Sequence, residues 1–319
     1  MHNESRGDST SMKRSFADLL LLAVTFAWGA TFIVVQDAIR VFPVFDFLGL
    51  RFMLAGLIMI VCVLIVPGFR KQLYNRRLWL VGMWLGLWLF TGYALQTVGL
   101  LFTTPAKSGF ITGLSVVLVP ALSFLVLHHK PTLGVWLGVL CAAVGLFFLS
   151  FHPHGGFNLG DILTFFCAIA FAVQIVAVGK YAEQFSPFAL AAVQVLTVGI
   201  LSFIGAWIDG TISATFGPAW LLPSVWQGLV ICILFATILA YFAQMVVQKY
   251  TTPTRTALIF SAEPVFAALT AYFFAGDKIA IQGLIGCALI LAGMLIAEFA
   301  PKDRVTAKVS PQSILDKAP

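Results

Sequence analysis

Ten stretches of the chain are almost wholly apolar, at about 16–36, 45–66, 78–100, 104–127, 133–151, 159–180, 187–208, 224–248, 253–275 and 280–299. At 1.5 Å per residue each is long enough to cross a ~30 Å hydrocarbon core as a helix. Short segments separate them, among them the Gly/His/Pro turn His152-Pro153-His154-Gly155-Gly156. The pattern predicts an all-α, polytopic membrane protein of ten transmembrane helices. Residues 1–15 and 300–319 are polar and read as loose cytoplasmic tails. The first apolar stretch is too long for a signal peptide and lacks a small-x-small cleavage site.

The pattern also repeats. Residues 93–150, moved forward by 148 positions, align without a gap on 241–298, with 11 identities in 58 pairs. Tyr93 and Gln96 meet Tyr241 and Gln244, Thr103-Thr104-Pro105 meets Thr251-Thr252-Pro253, and Lys107 meets Arg255. Lys130 meets Lys278, and Gly138 and Gly145 meet Gly286 and Gly293. A weaker echo at an offset of 143 sets Trp28 on Phe171, Arg51 on Gln194 and Gly56 on Gly199. The expected units are therefore 16–151 and 158–299, with five spans each. An odd number of spans per unit makes the second copy inverted relative to the first. Inverted repeats are an architecture of secondary transporters, in which the two copies enclose a midplane substrate site.

Composition agrees with the class: 60% of the 319 residues are hydrophobic and 10% charged, where soluble domains carry about 25% charged. Mean hydropathy is +0.99. The net charge of +6 comes from Lys and Arg in loops and tails, a membrane-topology pattern and not a nucleic-acid footprint. With the N-terminus inside, 15 of the 19 Lys and Arg fall on the inner side. The expectation is a multi-pass protein of the cell membrane with both termini cytoplasmic. Cys62, Cys141, Cys167, Cys232 and Cys287 lie inside apolar stretches without metal-like spacing and read as small core residues.

Charges within apolar stretches cost at least about 2.5–3.5 kcal/mol, so each calls for an explanation. Glu263, beside Pro264, is read as a cavity-facing carboxylate for a substrate cation or a proton, or as a buried group holding a kink. Arg51 is read as pairing with an acid or a substrate carboxylate, or as snorkelling to the interface. Lys107 and Arg255 stand near helix starts, where a cation opposes the dipole; they are candidates for pairing or gating, or for interfacial placement. Asp18, at the entry of the first span, is a favourable N-terminal helix charge. Tyr93 with Gln96 and Tyr241 with Gln244 are three apart and share helix faces, suiting either a polar cavity wall or interhelical bonding. Thr31 and Gln174 are further candidates for substrate contact, and Trp28, Trp84 and Trp88 for aromatic walls or interfacial packing. The repeated glycines allow close helix approach.

Three blocks resemble a known family: Trp28-Gly29-Ala30-Thr31-Phe32 in the first span, Thr104-Pro105-Ala106-Lys107-Ser108-Gly109-Phe110-Ile111 opening the fourth, and Ala262-Glu263-Pro264-Val265-Phe266-Ala267-Ala268-Leu269 in the ninth. They are similar to EamA-type members of the drug/metabolite transporter superfamily, over about residues 16–299. The resemblance implies a ten-helix bundle with a central cavity lined mainly by helices 1, 3, 4, 6, 8 and 9. It also implies carriage of amino acids, other metabolites, nucleotide-linked sugars or drugs, with export common among bacterial members. Members often carry Gly-Glu near the ends of helices 4 and 9. Here those places read His128-His129-Lys130 and Gly276-Asp277-Lys278, so a carboxylate role at the first place is not carried over.

The chain holds no phosphate-cradling loop, HExxH or nucleophile elbow. The expected function is a secondary, non-ATP carrier exporting a small organic solute, with an amino acid or related metabolite leading. The alternatives are a broad drug exporter, a channel or a membrane-embedded enzyme. The expected substrate contacts are Trp28, Thr31, Tyr93, Gln96, Gln174, Tyr241, Gln244 and Glu263. The expected partners are a small-molecule substrate and the lipid bilayer, with no cofactor, metal, nucleic acid or enzymatic activity. Protons are the candidate coupling ion, and the sequence leaves proton coupling and facilitated diffusion both open.

Overall fold

A computed structural model describes residues 4–103, 105–128, 131–150, 158–270, 272–273 and 281–299. The expected tail at 300–319, the turn at 152–156, and the positions His129, Lys130 and Gly276-Asp277-Lys278 lie outside the described residues.

Every regular element among the described residues is helical: α1 (Glu4–Ile39), α2 (Val44–Ile65), α3 (Pro67–Arg70), α4 (Arg76–Gly99), α5 (Pro105–Gly113), α6 (Ser115–Leu127), α7 (Leu133–Ser150), α8 (Leu159–Tyr181), α9 (Pro187–Ile208), α10 (Pro223–Ile233), α11 (Ala240–Val247), α12 (Pro253–Phe260), α13 (Glu263–Thr270) and α14 (Ile281–Phe299), joined in places by short 3-10 turns. Among the described residues, seven helical stretches are long and apolar enough to cross a membrane, and Leu133–Phe148 and Ile281–Ala297 are shorter apolar helices. The chain is a multi-pass membrane protein.

Local chemistry sets the helix starts. Asn75 caps α4 by accepting from the Arg77 N–H, and Asn158 and Asp161 form a reciprocal capping box on α8. Proline opens α9, α10 and α12, where its missing N–H leaves nothing unsatisfied.

Three expected elements are corrected. The stretch 104–127 is two helices, α5 and α6, meeting at Leu114. The stretch 253–275 is likewise divided, with α12 ending at Phe260 and α13 starting at Glu263. Pro264 has no N–H to give the Phe260 carbonyl, which accounts for the second break. Leu114 and Ala262 are repeat-equivalent, so both breaks fall at the same place in the duplicated unit. Third, residues 4–15 are not a loose tail: α1 already starts at Glu4. Extending an existing helix adds one hydrogen bond per residue fixed, without a new nucleus.

The helices pack as α2 along α9, α4 against α8 and α9, and α7 along α14. Glycines let these seams close. A Cβ on Gly56 would lie 2.6 Å from Leu196 Cα, and one on Gly199 2.7 Å from Met53 Cα; Met53 and Leu196 are themselves repeat-equivalent. Gly145 touches the Gly286 carbonyl and Gly138 the Gly293 carbonyl in the same reciprocal way. At one end, buried Asp46 holds the α9–α10 connection by accepting from Thr211 Oγ1 at 2.6 Å, Thr215 Oγ1 at 2.5 Å and the Thr215 N–H at 3.1 Å.

Candidate substrate cavity

The two repeats meet around a cavity of about 840 Å3 of atom-free space, counted with the part continuous with its opening. All eight expected contact residues line it: Trp28 and Thr31 from α1, Tyr93 and Gln96 from α4, Gln174 from α8, Tyr241 and Gln244 from α11, and Glu263 at the head of α13. Arg51 lines it too. Lys107 and Arg255 do not; they stand away from it at the starts of α5 and α12. Trp84 and Trp88 pack edge-to-face on each other at 5.7 Å, and Trp84 faces outward.

Equivalent residues of the two repeats touch at the centre. The Tyr241 hydroxyl donates to that of Tyr93 at 2.7 Å. Trp28 packs on Tyr241 with ring centroids 5.8 Å apart, and its counterpart Phe171 packs on Tyr93 at 5.4 Å. Phe260 closes against Trp28 at 4.8 Å. The aromatic wall therefore draws on both halves.

Arg51 neither snorkels nor meets a carboxylate among the described residues. It is 3% exposed, with its guanidinium carbon 4.7 Å from the Phe52 ring centre and 5.0 Å from that of Tyr93. Its Nε donates to Thr237 Oγ1 at 2.9 Å and its Nη2 to the Ala236 carbonyl at 3.1 Å. These acceptors lie in a π-helical turn, Leu234–Leu239, between α10 and α11. A π turn displaces carbonyls from the regular ladder and recurs at functional positions. The Ala236 carbonyl also accepts from Trp28 Nε1 at 2.9 Å.

A glutamine chain leads away from the cavity. Gln244 Nε2 donates to Gln174 Oε1 at 3.2 Å and to Gln248 Oε1 at 3.0 Å, and Gln174 Nε2 donates to Gln194 Oε1 at 3.1 Å. Gln194 is the repeat counterpart of Arg51. On the other side Gln96 Nε2 donates to Thr112 Oγ1 at 3.1 Å. Gln244 Oε1 is buried without a hydrogen bond among the described residues, as is Gln194 Nε2. An unmade buried hydrogen bond costs about 1–3 kcal/mol, so Gln244 Oε1, on the cavity wall, is a strong site for a complementary donor.

Sequence reading missed Phe171, Thr112, Ser115, Phe260, Thr237 and the Ala236 carbonyl. Phe171 was within reach, since it lies three residues before Gln174 on the same helix face. Thr112 and Ser115 extend the face that begins at Ser108. The π turn left no mark in the apolar run Ile231-Cys232-Ile233-Leu234-Phe235-Ala236.

Comparison with known proteins gives the lineage. An uncharacterized transporter of Archaeoglobus fulgidus is 34% identical over 296 residues, covering 92% of this chain and 89% of that protein. Uncharacterized transporter YyaM of Bacillus subtilis is 23% identical over 90% of this chain and 94% of its own length. A crystal structure sharing 21% identity superposes with a TM-score of 0.71, over 89% of this chain and 96% of that one. The model of the EamA-like transporter family matches twice, at residues 15–151 and 158–299, and so the chain belongs to the EamA-like transporter family.

Proposed function

We propose that this membrane transporter is a secondary carrier that exports a small organic solute, with an amino acid or related metabolite as the leading class. On this reading two inverted five-helix repeats alternate in opening one central cavity to either side. The observation that carries it is the convergence of repeat-equivalent polar and aromatic side chains on that cavity, above all Tyr93 on Tyr241, inside an otherwise apolar bundle. A cavity formed jointly by two copies of one unit is what alternating access requires.

The lining supports the substrate class. Arg51 brings a guanidinium and Glu263 a carboxylate to the same cavity, matching the two opposite charges of an amino acid. Gln244 Oε1 adds an acceptor without a partner among the described residues. The rings of Trp28, Phe171, Tyr241 and Phe260 suit an apolar side chain. That same aromatic wall favours a second reading, a broad exporter of hydrophobic cations held by Glu263. The excess of Lys and Arg on one set of loops supports placing both termini in the cytoplasm of a cell-membrane protein.

Counterflow in proteoliposomes tests the proposal. Vesicles preloaded with a mixture of unlabelled amino acids are expected to accumulate a labelled member transiently and with saturation. Flux that rises linearly with concentration and shows no counterflow would refute a carrier. Counterflow driven by hydrophobic cations but by no amino acid would favour the second reading.

A further inference from the structure

Among the described residues two ion pairs join the repeats, and their members correspond by the two sequence offsets. Lys107 Nζ lies 2.6 Å from Asp161 Oδ2, linking α5 of the first repeat to α8 of the second. Arg255 donates through Nε to Asp18 Oδ1 at 3.0 Å and through Nη2 to Asp18 Oδ2 at 2.6 Å, linking α12 of the second repeat to α1 of the first. Lys107 and Arg255 differ by 148 positions and Asp18 and Asp161 by 143, so each pair is the counterpart of the other with the repeats exchanged.

The pairs stand at opposite ends of the bundle. Asp161 is in the first turn of α8, while Gly179 near its other end touches Pro253, two residues from Arg255. Eighteen residues of helix separate those points, about 27 Å. The cavity lies between. Lys107 precedes the lining residue Thr112 by five positions, and Arg255 precedes Phe260 by the same step. Asp18 precedes Trp28 by ten positions, and Asp161 precedes Phe171 by ten.

We infer that these pairs are the two gates of the transport cycle: Asp18–Arg255 fastens the repeats together beyond one end of the cavity and Lys107–Asp161 beyond the other, both are made in the state described, and they break in alternation. The inference rests on the carrier reading and assigns Asp18 and Asp161 a role in access. The bonds are charge-assisted and partly shielded, with side-chain exposures of 21% and 0% in one pair and 11% and 17% in the other. They are strong enough to bias a population, and one member of the first pair and both members of the second stay partly exposed. Thr103 Oγ1 and the Asn158 N–H also bind Asp161, which holds the acid in place when the lysine withdraws. Neutral surroundings would leave the two mouths without a latch; two equivalent latches let either close at similar cost.

The test uses Thr31→Cys as the single thiol in a chain whose five native cysteines are replaced by alanine. A membrane-impermeant maleimide is added from either side of oriented vesicles. Lys107→Gln with Asp161→Asn is expected to raise labelling from the Lys107 side roughly fivefold and to lower it from the other side. Asp18→Asn with Arg255→Gln is expected to do the reverse. Asp18→Arg with Arg255→Asp should return labelling to the parent level. Unchanged labelling from both sides would overturn the gates. If the neutralised pairs fail to fold, Lys107→Cys with Asp161→Cys, oxidised to a disulfide, should block a small substrate-sized reagent from that side; continued entry would overturn the gates equally. The two readings fail separately: loss of counterflow in the unaltered chain counts against the carrier, while unchanged labelling with counterflow intact counts against the gates alone.

Discussion

Gly56→Ala should loosen the crossing of α2 and α9, and its cost follows from the geometry there. The new Cβ would sit 2.6 Å from Leu196 Cα and 2.8 Å from Leu196 N. Carbon atoms pack best at about 3.5–4.0 Å, so the seam is about 1 Å too close. Both obstructing atoms are backbone, so relief requires moving one helix away from the other and not turning a side chain. Overpacking of this kind costs about 1–3 kcal/mol. Alanine recovers about 0.5–1 kcal/mol through its better helix propensity. The net loss is therefore centred on about 1 kcal/mol within a span of about 0–2.5 kcal/mol, a factor of about 5 in the unfolding equilibrium at the centre. Titrating detergent-solubilised protein with SDS and following tryptophan fluorescence measures it. Gly68→Ala is the control, because a Cβ there would meet nothing within 4 Å. Gly199→Ala should cost about as much as Gly56→Ala, since its Cβ would lie 2.5 Å from Met53 N. The double variant should cost less than the sum, because one separation relieves both contacts. Equal stability of Gly56→Ala and Gly68→Ala would refute the claim that backbone contact sets this seam.

Other outcomes follow from single contacts. Thr237→Val removes the Oγ1 acceptor from the buried Arg51 guanidinium and should cost about 1–3 kcal/mol in the same titration, while Thr237→Ser should not. Asp46→Ala should speed hydrogen exchange across 209–222, where Thr211 and Thr215 lose their acceptor, and leave α1 unchanged; equal exchange in both proteins would show that the loop holds itself. Glu263→Gln keeps the side-chain shape but cannot bind a substrate cation as a carboxylate does, so on the carrier reading counterflow of a zwitterionic or cationic solute should weaken at least about tenfold; counterflow at the parent level would take Glu263 out of substrate binding.

How much of this could be read beforehand differs by kind of interaction. Apolar runs and the 148-residue offset located the helices, because burial in lipid forces long uninterrupted hydrophobicity. Tyr93, Gln96, Tyr241 and Gln244 could be named because polar groups are rare there and recur at equivalent places. The break at Leu114 could not, since the run around it has no proline nearer than Pro120. The protein partners of Arg51 could not be named because its acceptors arise from a local change in helix winding at Ala236 and Thr237. Such winding depends on tertiary fit and leaves the hydrophobic pattern untouched. Asp18 looked like a dipole charge, and Arg255, distant in sequence, gave no local sign of its partner. Asp161 drew no attention for the same reason.

The contact between Tyr93 and Tyr241 has a consequence for symmetry itself. Two like hydroxyls at 2.7 Å share one hydrogen between them, so one ring must give it and the other receive it. Perfect equality of the halves is chemically impossible at that point. On the carrier reading, a motion that trades the parts played by the halves would also trade donor for acceptor between these two hydroxyls.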